Sequence, residues 1–141
     1  MSEANKDVAR RFIMEAFVKN DPAAWEQTVA EGVIDHNPMP DQKSGRDGLR
    51  QAADMYREAF PDMATTIDLQ LAEDDLVTNR GMATGTNTGD MMGMPATGKS
   101  AEVSWMDTYR VRDGKIVEYW HNEDIAGMLM QLGFIPEPGS A

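Results

Sequence analysis

The chain has 141 residues, 13 Lys/Arg against 24 Asp/Glu, a net charge of −11, 41% hydrophobic residues and no cysteine. That length suits one domain with a real core, and the hydrophobic share excludes a disordered acidic chain. The acidic balance argues against nucleic acid or an anionic membrane as partner, and the missing cysteines remove disulfides, thiolate chemistry and zinc–sulfur sites.

Along the chain, Val8, Phe12, Phe17 and Val18, with Ile13 and Ala16 between them, recur at the three- and four-residue steps of an amphipathic helix. Asn20-Asp21-Pro22 restarts the chain, with Asp21 as cap and Pro22 in the first turn of a second helix. That helix turns Trp25 and Val29 inward and is expected to end at Gly32. Val33 to Pro38 reads as a short strand entering a turn, because the residue before proline is pushed out of the helical region. A polar loop over 39–48 leads to a third helix carrying Leu49, Ala52, Ala53, Tyr56 and Phe60 and ending at Pro61.

The period then changes to two. Ile67, Leu69 and Leu71 mark a half-buried strand, Glu73-Asp74-Asp75 a turn, and Leu76 to Thr88 a long strand whose glycines (Gly81, Gly85) predict a bend or bulge. Residues 89–98 read as loop, and 101–111 and 115–123 as a hairpin through Arg112-Asp113-Gly114. Asp124 opens a final helix that Gly133 closes, and residues 134–141 form a loose tail. Helices followed by strands predict an α+β fold, one domain over 1–141, with a curved antiparallel sheet wrapped around the N-terminal helices to leave an open-mouthed cone. No stretch is apolar for long enough to span a bilayer, and the N-terminal MSEANKDVARRF lacks the apolar run of a signal peptide, so the cytoplasm is the expected compartment.

The hairpin decides which side chains meet. A two-residue Asp113-Gly114 turn sets Asp107 opposite Trp120 and sends His121 to the other face. A three-residue loop sets Trp105 opposite His121 and Asp107 opposite Tyr119, making Asp107 and His121 diagonal neighbours within reach of a hydrogen bond. The second register is preferred. It gathers Trp105, Asp107, Tyr109, Val111, Val117, Tyr119 and His121 on one face, and Met106, Thr108, Arg110, Ile116, Glu118 and Trp120 on the other. That other face is mixed enough to stay half exposed or to join a subunit interface.

At these residues the sequence resembles a known family. Asp35-His36-Asn37-Pro38, Gly85-Thr86, Pro95-Ala96-Thr97-Gly98-Lys99, Tyr109-Arg110-Val111 with Asp113 to Glu118, and Gln131-Leu132-Gly133 together, in order, are similar to the SnoaL-like polyketide (ester) cyclases of the nuclear transport factor 2-like superfamily. The resemblance implies an α+β cone, a homodimer or homotetramer, and closure of an aromatic polyketide ester without metal or cofactor. It also carries over two site positions with their residue types exchanged: the family's acid/base Asp falls on His121, and a family His falls on Asp107. Asn37 matches a family pocket Asn.

An enolisable carbonyl substrate needs a modest base near the reacting carbon and a donor for the developing oxyanion. Neutral imidazole suits the first task, so His121 is read as base and Asp107 as its orienter, within about 3.2 Å and facing an open cavity. The structural alternative is a half-buried His–Asp pair. His36 is either a donor to substrate or an exposed turn residue, and Asn37 either a substrate contact or a turn former. Asp124 caps the last helix, with proton transfer as its second reading. Trp105, Tyr109 and Tyr119 either stack on a flat ring system or form plain core. Two His and nearby carboxylates lack any diagnostic metal spacing, and the glycines of 81–98 do not follow a strand-to-helix turn, so neither metal nor nucleotide is expected. The expected function is a cofactor-free cyclase or isomerase acting on a small apolar carbonyl compound through an enolate. The alternatives are a hydrolase or dehydratase on the same cone, or a non-catalytic ligand-binding or assembly module.

Overall fold

The computed structural model describes residues 2–139. Helix α1 (Ser2–Arg11) runs without a break into a π-helical segment, Phe12–Val18. Helix α2 (Pro22–Thr28) starts where Asp21 accepts from the Ala23 N–H at 3.0 Å. It ends at Thr28, four residues before the expected Gly32, because Thr28 Oγ1 turns back onto the Ala24 carbonyl (2.7 Å) and Val29 is already extended. Strand β1 (Val29–Asp35) therefore begins early, and Val29 is a strand residue rather than a helical one. Helix α3 covers Gly45–Ala59, taking in the last residues of the expected loop. Strands β2 (Ala64–Glu73), β3 (Leu76–Thr86), β4 (Ser100–Arg112) and β5 (Lys115–Glu123) precede helix α4 (Ile125–Leu132). Asp124 caps α4 through the Gly127 N–H, and Gly133 ends it in the left-handed conformation at φ 86°.

One five-stranded sheet has the order β1-β5-β4-β3-β2. Four strands form the expected antiparallel meander, while β1 joins it in parallel beside β5. Two bulges set which side chains face inward. Between Ile67 and Leu69 the pairing with β3 slips by one residue, so Ile67 packs on the core while Leu69 and Leu71 stay 48% and 59% exposed on the outer face. The expected inward alternation of all three thus holds for Ile67 alone.

The second slip lies in the β4–β5 hairpin. Arg112 pairs with Lys115 across a two-residue Asp113-Gly114 turn, whose residues have φ 51° and 77°, and a bulge then sets Val111 opposite Ile116 but Arg110 opposite Glu118. Neither expected register survives. Asp107 stands directly opposite His121 and Tyr109 opposite Tyr119. Ile116, at 1% exposure, replaces Val117 on the inner face.

The concave face buries the core. Phe12 is edge-on to Trp25, Tyr109 and Tyr119 at ring distances of 5.5 to 5.8 Å, and each such fully buried ring contributes roughly 2–3 kcal/mol. A second cluster joins Ala59, Phe60, Met91, Ala101, Met128 and Leu132, with Phe134 packed against it, so the chain beyond Gly133 begins in contact with the core. The last two residues of the expected loose tail lie outside the described residues. Among the described residues no helix is long and apolar enough to cross a membrane.

Candidate active site

Between the helices and the concave face lies a cavity of about 780 Å³ of empty space, its mouth included. Its walls are mostly apolar, with Phe17 from the π-helical segment, Tyr56 and Phe60 at α3, Trp105 on β4 and Met128 on α4. Two carboxylates reach it, Asp107 on β4 and Glu123 on β5.

Asp107 is only 4% exposed. Its Oδ2 accepts from the Tyr119 hydroxyl at 2.9 Å and the Tyr109 hydroxyl at 3.1 Å. Its Oδ1 is buried and has no partner among the described residues. Burial, reinforced by the Glu123 charge, pushes its pKa up to about 7 against the hydrogen bonds from the tyrosines. The carboxyl is therefore held toward its neutral form. Burial also raises the hydroxyl of Tyr56 to about 12, and those of Tyr109 and Tyr119 well above the ordinary value, so all three remain protonated donors.

His121 faces inward as expected, but Asp107 does not orient it. Its ring nitrogens lie 2.8 Å from Glu123 Oε1 and 3.1 Å from Asp35 Oδ1, and its ring stacks on Tyr119 at 4.7 Å. Burial alone would lower its pKa, but the hydrogen bonds to Asp35 and Glu123 raise it to about 10. His121 is thus an imidazolium at neutral pH, with both N–H groups committed. Asp35 is held ionised in turn: burial would raise its pKa, and hydrogen bonds from His121, Gln42 and the Asn37 N–H outweigh that and lower it. A cation fixed between two carboxylates has no lone pair to offer a substrate, and His121 is not among the residues that line the cavity. The expected His121–Asp107 couple is replaced by an Asp35–His121–Glu123 array beside a separate, uncharged Asp107–Tyr109–Tyr119 group.

The other expected site residues divide. Trp105 and Tyr119 line the cavity, and Trp105 donates its indole N–H to Thr65 Oγ1 at 2.8 Å. Tyr109 is wholly buried and reaches the site only through Asp107. His36 does not reach the cavity: its ring lies flat on Trp120 at 4.6 Å and pairs with Glu118 at 2.8 Å, on the outer face of β5. Asn37 also stays outside, where its Oδ1 accepts the His121 backbone N–H at 2.9 Å and braces β5 against the turn after β1. Asp124 caps α4 and does not line the cavity. Sequence reasoning missed Glu123, although it lies two residues past His121 and so shares its face. It also missed Asp35, whose approach depends on the parallel β1–β5 pairing, and Tyr56.

A concave sheet closed by N-terminal helices over an apolar cavity is a fold shared with solved structures of polyketide cyclases and their relatives. The chain belongs to the SnoaL-like polyketide cyclase family, whose model matches residues 7–132. It is 28% identical over 133 residues to the aklanonic acid methyl ester cyclase DauD of Streptomyces sp. (strain C5), covering 90% of this chain and 80% of that one. IdmH of Streptomyces antibioticus is 32% identical with a TM-score of 0.79, over 92% of this chain and 98% of that one. TsrD of Streptomyces laurentii superposes with a TM-score of 0.86 at 24% identity, over 96% and 98% of the two chains, and shows likeness of fold alone.

Proposed function

We propose that this protein is an acid/base cyclase or isomerase that acts on a neutral, largely apolar carbonyl compound through an enolate, with Asp107 transferring the proton at the substrate. The observation that carries the reading is the bare Oδ1 of a buried carboxylate. A polar atom without a partner in an apolar cavity costs stability, about 1–3 kcal/mol, and an arriving carbonyl or enol would satisfy it. With Oδ2 accepting from two hydroxyls, the proton of neutral Asp107 belongs on the unpartnered Oδ1.

A pKa near 7 suits a group that must both take and return a proton. Tyr109 and Tyr119 fix the carboxyl plane and stabilise its charged form without competing for the proton. The related protein DauD is named as a methyl ester cyclase, and the mostly apolar walls of this cavity suit a neutral ester. Asp107→Asn keeps an acceptor for the two tyrosines and removes the transferable proton. Its ring-closing turnover of a dicarbonyl ester should fall by roughly 10²–10⁴-fold with the far-ultraviolet circular dichroism unchanged. Turnover within a few-fold of the parent protein would end this reading.

A further inference from the structure

Asp107 shares its cavity with a second carboxylate. On the β4–β5 ladder Asp107 pairs with His121 and Trp105 with Glu123, so Asp107 and Glu123 are diagonal neighbours on the concave face, and both line the cavity. Their surroundings are opposite in kind. Asp107 meets only neutral hydroxyls and is closed off from water. Glu123 has an imidazolium 2.8 Å from Oε1, itself tied to Asp35, and its side chain keeps 28% of its exposure. Among the described residues Oε2 has no hydrogen-bond partner.

We propose that the two carboxylates divide the proton work: Glu123 is the base that takes the substrate's α-proton, and Asp107 is the acid that protonates the acceptor carbonyl oxygen. The proposal rests on the reading of Asp107 as the proton-transfer group and assigns it one of two directions. Glu123 is paired with the His121 ring at 2.8 Å and keeps part of its side chain open to the cavity, whereas the apolar, uncharged setting of Asp107 favours its neutral form. In the step itself, the Glu123 carboxylate accepts the proton and the C–H electron pair becomes the enolate. The enolate carbon then bonds to the ketone carbon, whose π pair moves to oxygen. That oxygen takes the proton from Asp107 Oδ1. Glu123 ends protonated and Asp107 ionised, and transfer of one proton from Glu123 to Asp107 by way of the product's new hydroxyl restores both.

The titratable groups that face Glu123 are Asp107 and Tyr109 on β4, Tyr119 and His121 on β5 and Tyr56 on α3, with Asp35 of β1 acting through His121. The π-helical segment contributes Ile13, Phe17 and Val18 to the wall and no charge. The role assigned to His121 is positioning: its ring nitrogen, 2.8 Å from Oε1, holds Glu123 aimed at the cavity.

Two probes separate the roles. Methyl benzoylacetate can enolise but cannot close a ring, so its α-proton exchange in D₂O, followed by NMR above the buffer rate, reports the base. The methyl ester of an aryl β-keto acid bearing an ortho-acetonyl arm can close a six-membered ring and reports the whole reaction. Glu123→Gln, which still accepts from His121, should lose exchange and closure together by about 100-fold or more. Asp107→Asn should lose closure by about 100-fold or more and lose markedly less exchange than Glu123→Gln. Exchange by Glu123→Gln at the parent rate, or a parent protein that does not accelerate exchange, overturns the assignment of Glu123. Closure retained by Asp107→Asn would overturn the reading of Asp107 instead, and equal loss of exchange in both variants would show that one carboxylate serves both steps.

Discussion

Asp107 keeps a proton on the folded chain that the unfolded chain gives up. Its pKa is 3.8 when exposed and about 7 when folded, so between those values the unfolded state binds fewer protons and stability falls as pH rises. Above pH 7 the buried charge is a constant cost on the order of 2 kcal/mol, allowing for relaxation around the site. Asp107→Asn removes that cost and keeps an oxygen for Tyr109 and Tyr119. We therefore expect the variant to be more stable than the parent protein at pH 8 by about 2 kcal/mol, with the advantage vanishing by about pH 4. Urea unfolding at both pH values measures this, and a difference independent of pH would refute it. His121 steepens the same decline in a higher window. Its pKa is raised from 6.5 to about 10, so its contribution is complete below about 6.5 and is lost as pH climbs through 10.

Strand β3 shows how the sheet makes room for the cavity wall. A Cβ on Gly81 would lie 2.0 Å from the Thr66 carbonyl oxygen and 2.6 Å from the Trp105 ring, beside the bulge in β2. A Cβ on Gly85 would meet only the Phe60 side chain, at 3.0 Å. Backbone cannot yield as a side chain can, so Gly81→Ala should cost about 2 kcal/mol or more, and Gly85→Ala less than about 1 kcal/mol. The second variant narrows the cavity by crowding Phe60 and should raise KM with little change in melting temperature. Equal melting temperatures for the two variants would contradict this account.

The sequence reading located these glycines and the order of helices and strands, because periodicity and caps such as Asp21, Asp124 and Gly133 are local signals. It did not locate the bulges near Asp68 and Val117. A one-residue slip leaves local propensity unchanged, and is decided by which side chains the helices can cover. For the same reason Asp107 and His121 were correctly placed on one face but wrongly paired. The partner that claims His121, Asp35, is 86 residues away and arrives only when β1 pairs in parallel with β5.

At the scale of the whole molecule, charge restricts what the cavity can admit. The chain carries a net charge of −11, and the cavity has Asp107 and Glu123 but no Lys, Arg or His in its lining. Among the described residues the nearby cation, His121, is already paired with Asp35 and Glu123. A ligand carboxylate about 5 Å from an ionised Glu123 would be repelled by roughly 3 kcal/mol at an effective dielectric of about 20. A methyl ester escapes that penalty. We therefore expect a flat aromatic β-keto methyl ester to bind at least about tenfold more tightly than the free acid from which it is made. The primary amide of the same acid separates charge from polarity: it is polar but neutral, so it should bind closer to the ester than to the acid. Raising the salt should reduce the acid's disadvantage only in part, because counter-ions screen the long-range field of the surface more than a short-range repulsion inside a largely apolar cavity. Isothermal titration of the three ligands at low and high salt measures both effects. An acid that binds as well as the ester would mean that a cation reaches the chamber from some element other than those lining it, and an amide that binds as poorly as the acid would assign the discrimination to desolvation rather than charge.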